Sequence, residues 1–329
     1  MYLRRWSNNG NTVHCYSTIV SSAHQPVWRS TSIKTTAYWR DFYSQRIENR
    51  IDDSIEVLFG EKYETPAVSA FEKLNVDAPL GKEDLVTLVN FAILQMVRVP
   101  AWYAKVCTMA PGIFEPVMSA TVRSTLERYR ANEESALGPR NAVCEAAKPS
   151  VFPGFDVQVD IDEARSEIVT SMSIDRAYYL ACIGRILEGD VGNAMRGYDW
   201  SVVKLPSGAS VPTSDNPFVR LARAKNGGLM LDAGVGDCGA LLFMPLTPRY
   251  LLMTLVGGGV NLQEWVDNGD TVTFLTEAIV HNATRYIYDN RERDDLVQMR
   301  PPRDDREYGT RMRELMENWD SYQTGEARQ

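Results

Sequence analysis

Apolar residues recur along the chain at two spacings. From about Ser44, Ile47, Ile51, Ile55, Leu58 and Phe59 stand three or four apart, which predicts a helix ending near Gly60. The stretch EDLVTLVNFAILQMVRVPAW repeats the signature through Leu85, Leu88, Val89, Ala92, Ile93 and Met96, with Pro100 as its stop. Further helices are predicted at about 114–135 and 162–188, the second from Ile168, Met172, Leu180, Ile183 and Leu187.

Between Trp200 and Gly257 the period shortens. The pieces WSVVKL, ASVPTS, GLMLD, GALLFM and YLLMTLV are separated by Gly, Pro and Asn, and no crossover helix fits between them, so an antiparallel meander is expected. VTFLTEAIVHNATRYIYDN then returns to helical spacing through Phe274, Ala278, Ile279, Asn282 and Tyr286. The expectation is an α+β fold, mainly helical with a small antiparallel β-meander in the second half. It forms one domain over 1–288: a basic arm of short β-prone pieces such as NTVHCYSTIV (1–43), a helical part (44–190), the meander (198–257) and a helix packing on it (262–288). A charged tail of mixed sign occupies 289–329.

Composition narrows the function classes. A hydrophobic share of 44% with 24% charged residues excludes global disorder, and a formal charge of -8 argues against indiscriminate nucleic-acid binding. Five scattered cysteines without a Cys-x-x-Cys spacing fit neither a disulfide framework nor a zinc clip, which points to a cytoplasmic protein. No apolar region follows the arginines of MYLRRWSNNGNT as in a signal peptide, and Pro245, Pro248 and Arg249 break the longest apolar tract, so no membrane span is expected.

Several motifs invite a chemical reading. GVGDCG (residues 234–239) has dinucleotide-fingerprint letters, but a proline-stopped strand follows it instead of a helix, so a glycine turn is expected. Only three histidines are present, and no Gly-x-Ser-x-Gly elbow, which leaves triad catalysis without support. Glu48, Asp52 and Glu56 fall at four-residue steps on the first predicted helix, usually the mark of a solvated face. Gln95 and Arg98 project together near the end of the second, where a guanidinium can clamp an anion or simply favour the helix dipole. VPTSDNPF (residues 211–218) is a turn signal, since Asp or Asn before Pro bonds the backbone just ahead. It also places Asp215 at a strand end, where a carboxylate can act as a base or bind a metal.

From these residues the functional expectation is a polar cleft between helices and meander. Asp215, Arg98 and Glu56 are its catalytic candidates, and Ser214, Asn216, Gln95 and Glu48 its substrate-binding candidates. Acids, amides and one arginine suit hydrolysis of a phosphate-bearing or other anionic small molecule, with a divalent metal on the carboxylates as the cofactor to test. The alternative is a non-enzymatic module whose Arg4, Arg5, Trp6, Trp28, Arg29, Trp39 and Arg40 contact nucleic acid or an acidic protein, for example in a defence or toxin system.

YLRRWS, IENRIDDSIE, ILQMVRVP, PTSDNPF and FMPLTPRYLLM, in this order over about residues 2–288, resemble successive blocks of the bacterial domain-of-unknown-function family 4238. The resemblance implies a predominantly helical protein with a β-containing second half and places Arg98, Ser214, Asp215, Asn216 and Pro217 on motif positions. It implies no activity. Members of that family begin with a His-Tyr-x-Pro element ahead of Tyr-Leu-Arg, so the reading frame is expected to continue upstream of Met1; an in-frame stop codon directly before it would refute this.

Overall fold

The computed structural model describes residues 2–20, 27–36, 42–47, 50–130, 155–162, 167–174, 176–223 and 229–305, with the isolated positions 307, 310 and 314. The chain divides into two compact units, Met1–Val99 with Ile186–Gln329, and Pro100–Arg185.

The first unit opens with a 3-10 turn (Tyr2–Trp6), then β1 (Thr12–Ser17), β2 (Ile19–Val20), β3 (Trp28–Ser32) and a hairpin of β4 (Gln45–Ile47) and β5 (Arg50–Asp52). One helical run follows through α1 (Ser54–Leu58), a wider π-helical section (Phe59–Glu64) and α2 (Thr65–Asn75). Asp77, in the left-handed region at φ 53°, turns the chain into α3 (Lys82–Val97). Glu83 and Asp84 suit the positive end of α3, and Arg98 closes it at its negative end.

The second unit holds the long α4 (Pro100–Arg130), an antiparallel hairpin of β6 (Phe155–Asp162) and β7 (Glu167–Ile174), and most of α5 (Arg176–Glu188). Tyr103 of α4 meets Tyr179 of α5 edge-on, with ring centroids 5.0 Å apart.

The chain re-enters the first unit through α6 (Asp190–Arg196) and a run of strands: β8 (Ser201–Lys204), β9 (Thr213–Ser214), β10 (Val219–Arg223), β11 (Leu229–Leu231), β12 (Leu241–Thr247) and β13 (Tyr250–Leu255). The last elements are α7 (Leu262–Val266), α8 (Gly269–Asn282), β14 (Tyr286–Asp289), α9 (Asp294–Met299) and β15 (Arg303–Asp304). Asn261 and Asn268 cap α7 and α8, their side-chain oxygens accepting the N–H of Glu264 and Asp270.

Two antiparallel sheets organise this unit, with orders β11-β10-β12-β13-β8 and β3-β1-β14-β9. Every residue of β12 is buried. Leu241 and Phe243 pack with Leu275 and Ile279 of α8, and the alternate residues Leu242, Met244 and Leu246 are buried on the opposite face. The four-stranded sheet is covered on both sides as well. Val13, Cys15 and Tyr288 lie against Leu3 and Trp6 of the 3-10 turn, while Tyr16 and Ile287 lie against Val280, Ala283 and Leu296.

The α+β class with antiparallel sheets is as expected, and so are α3 and its stop before Pro100 and the 234–239 turn, whereas the helix expected over 262–288 is split into α7 and α8 and gives way to β14 from Tyr286. Several expected elements differ. The helix from Ser44 is replaced by the β4–β5 hairpin, so Asp52 stands on a strand, its carboxylate accepting the Ser54 N–H at 2.9 Å, and shares no helix face with Glu56. The helical run then passes Gly60 and continues to Asn75. Residues 167–174 of the expected 162–188 helix form β7 instead. The meander is interrupted: β9 leaves it for the other sheet, and β8 returns to its far edge beside β13. The β-prone pieces of residues 1–43 form β1 and β3, as NTVHCYSTIV suggests, but they belong to a covered sheet and not to an arm, with Trp6 and Cys15 fully buried. Tail residues fold back too, Leu296 being buried and β15 pairing in parallel with β2.

Candidate functional site

The TSDNP segment is a corner built from its own polar side chains. β9 pairs with β14 in the register Ile287↔Ser214 and Tyr288↔Thr213, which delivers Asp215 to the residues that precede β14. The Asp215 N–H donates to the Tyr286 carbonyl at 3.0 Å. Its carboxylate accepts three backbone N–H groups in return: Thr284 at 2.8 Å on Oδ1, with Arg285 at 2.9 Å and Tyr286 at 3.2 Å on Oδ2. Burial pushes the Asp215 carboxyl above its ordinary value, against the pull of those N–H groups and the Arg300 charge. Ser214 Oγ accepts the Asn216 N–H at 3.2 Å. Arg300 reaches the carbonyls of Val280 at 2.7 Å and of Ala283 at the end of α8, and its own carbonyl accepts the Tyr16 hydroxyl at 2.5 Å.

Arg98 and Gln95 lie one turn apart at the end of α3. Arg98 Nη1 pairs with Glu64 of the π-helical section, and the Tyr43 hydroxyl donates to the Arg98 carbonyl. Gln95 is buried, and its Nε2 has no hydrogen-bond partner among the described residues. Glu56 is exposed on α1, and Glu48 lies outside the described residues. Ser214, Asp215 and Asn216 therefore share one corner, while Arg98 has a partner of its own in Glu64.

Sequence reading missed a basic pocket of about 370 Å³ in the first unit, lined by Arg4, Gly10, Asn11, Ser32, Ile33 and Lys34. Its walls follow from local backbone chemistry. Asn9 Oδ1 accepts the N–H groups of Asn11 and Thr12, both at 2.9 Å, and Gly10 takes the left-handed φ of 73° that a side chain would resist. Ile33 N–H donates to the Asn11 carbonyl at 2.9 Å, fastening the β3 end to the β1 start. Ser32 Oγ accepts the Lys34 N–H at 3.3 Å. Arg4 enters from the 3-10 turn, whose buried Trp6 donates from Nε1 to the Val211 carbonyl at 3.0 Å and so fixes the turn to the body. Two cations line the pocket and no carboxylate does, and neither Arg4 nor Lys34 has an ion pair among the described residues. The sequence signal was the excess of Arg and Lys in the first 43 residues; their convergence needed the β1–β3 register.

Other reactive groups of the sheet are committed to packing. Burial pushes the Cys15 thiol up to about 11, which removes it as a nucleophile near neutral pH. The Arg29 and Arg285 guanidiniums sit 5.5 and 4.8 Å from the centroid of the Tyr286 ring. Among the described residues no group of three His, Cys, Asp or Glu is placed to hold a metal ion, and no single helix is long and apolar enough to cross a membrane.

A family model described as "Protein of unknown function (DUF4238)" matches residues 1–293. No curated protein and no solved structure matches the chain.

Proposed function

The chain belongs to the DUF4238 family of proteins of unknown function, and from its geometry we propose that it binds a small phosphate-bearing anion in the pocket of Arg4, Asn11, Ser32 and Lys34. One observation carries the reading: two cations without a carboxylate partner among the described residues share a concave site with an amide and a hydroxyl. An arginine fork with a lysine point charge suits phosphate oxygens, and Ser32 and Asn11 add uncharged donors. This keeps the anionic ligand expected from the sequence and moves its binding site from the helix end to the sheet edge. A polynucleotide would use the same phosphate chemistry, but a pocket of about 370 Å³ favours a single phosphate or diphosphate group over a tracked strand.

Titration calorimetry at low salt with inorganic pyrophosphate, and separately with a single-stranded oligonucleotide, tests the reading. Pyrophosphate should bind with an affinity that falls as salt is raised, and the Arg4→Gln/Lys34→Gln variant should lose about tenfold or more of it. Pyrophosphate binding unchanged in that variant, or binding of the oligonucleotide alone, overturns the proposal. Hydrolysis remains a separate question, answered by assaying phosphate release in wild type and Asp215→Asn side by side.

A further inference from the structure

A second cavity of about 430 Å³ lies elsewhere in the first unit, between the α2–α3 connection and the edge of the five-stranded sheet. Leu74, Ala78, Leu80 and Leu85 line it from the helical side, and Val202 of β8 and Tyr250 of β13 from the sheet. Gly81 and Lys82 complete the lining, which holds no carboxylate.

The polar groups around this slot are nearly all spoken for. Asp77 accepts the Tyr250 hydroxyl at 2.7 Å, Arg249 Nη2 at 2.9 Å and Lys204 Nζ at 3.0 Å. Asp84 accepts Lys73 Nζ at 2.7 Å and the Gly81 N–H at 2.7 Å. Burial and the Asp77 carboxylate both raise the Tyr250 hydroxyl above its ordinary value, so it stays a neutral donor turned toward Asp77, and Lys204 Nζ lies 5.7 Å from the centroid of its ring. Lys82 is the lining cation without an ion pair among the described residues.

We infer that this cavity takes a small amphiphile with an aliphatic body and one carboxylate end. The body lies against Leu74, Leu80, Leu85, Val202 and the Tyr250 ring, and the carboxylate pairs with Lys82. The distribution of chemistry selects this class. Aliphatic side chains reward removal of a hydrocarbon from water in proportion to its area. A polar body would find no free partner on them. One lining cation without an ion pair among the described residues asks for one negative charge.

Decanoate, below its micelle concentration, is the probe, with decanol as its uncharged counterpart. Both should bind the wild-type full chain. Lys82→Gln should weaken decanoate about two- to fivefold, the range of an exposed ion pair, and leave decanol unchanged. Transferred Overhauser effects from the decanoate chain to the Tyr250 ring, measured on wild-type protein, place the ligand without relying on any variant. Failure of both probes to bind overturns the inference, as does equal weakening of both by Lys82→Gln, or absence of a Tyr250 contact. Loss of decanoate binding in Arg4→Gln/Lys34→Gln but not in Lys82→Gln would assign it to the basic pocket, refuting this inference and leaving the phosphate proposal standing.

Discussion

Asn216 and Asn282 hold each other by a reciprocal pair of hydrogen bonds across 66 positions of sequence: Asn216 Nδ2 donates to the Asn282 carbonyl at 3.1 Å, and Asn282 Nδ2 to the Asn216 carbonyl at 2.7 Å. Asn282 Nδ2 also reaches the Phe218 carbonyl at 3.1 Å. With the three N–H groups on Asp215, these bonds rivet the Ser-Asp-Asn-Pro corner to the end of α8 and the start of β14.

Removing parts of that corner should cost stability in a definite order. Asp215→Ala leaves three N–H groups without an acceptor and should destabilise by about 3 kcal/mol or more, whereas Asp215→Asn keeps one side-chain oxygen and should cost about 1–2 kcal/mol. Asn282→Ala should fall between about 1 and 3 kcal/mol. Urea unfolding monitored by circular dichroism measures all three. An Asp215→Asn variant as stable as wild type would return the carboxylate to consideration as a chemical group.

The tether at Asp77 predicts a pH dependence. Hydrogen bonds from Tyr250 and Lys204 hold its carboxyl down at about 2, with the Arg249 charge adding to them. An unfolded chain would titrate the same group at about 3.9, so the folded state binds fewer protons between these values. The tether therefore contributes fully above about pH 4 and fades as pH falls toward 2. Asp77→Asn tolerates the left-handed backbone while losing the charge. Its melting temperature should trail wild type at pH 6 by more than at pH 2.5; a constant gap would refute the assignment.

Thiol accessibility offers an independent check on the four-stranded sheet. Cys238, exposed in the glycine turn, should be alkylated by iodoacetamide at pH 8 ahead of Cys107 and Cys182, and Cys15 only upon unfolding. Peptide mass spectrometry over a time course gives the order. Early modification of Cys15 would mean that the sheet face is open.

Trp6 discriminates a packed first segment from a basic arm that contacts a partner. It is fully buried, packs edge-on to Tyr2 with centroids 5.1 Å apart and donates to the Val211 carbonyl. Trp6→Ala should cost about 3–5 kcal/mol. A loss below about 1 kcal/mol in chemical denaturation would restore the arm.

Helices with a whole apolar stripe were legible in the sequence because their pattern fits only one period, as with Leu85 through Met96. Failures cluster where a four-residue step was the main cue. Ile47, Ile51 and Ile55, or Ile168 and Met172, satisfy a helix face and equally a strand, since four is also two pleats. FDVQVDID alternates strictly from Phe155 to Asp162 and carried the decisive signal for its hairpin. In the tail, Leu296 was hidden by averaging over a charged segment, although one buried leucine and the carbonyl contacts of Arg300 suffice to seat it. The Ser-Asp-Asn-Pro segment was legible as a turn, and the Asp215 carboxylate, also a catalytic candidate, accepts three backbone N–H groups there, while the basic pocket was out of reach because Arg4 and Lys34 become neighbours only through strand pairing.

That pairing sets a timetable. β1 lies between β3 and β14, so its hydrogen-bond edge toward His14–Ser17 stays vacant until residues 286–289 have left the ribosome. Tyr16 and Cys15, both fully buried in the finished molecule, are made long before the strand that shelters them. A nascent chain halted short of Tyr286 would display an orphan sheet edge along His14–Ser17, a template for unwanted strand pairing.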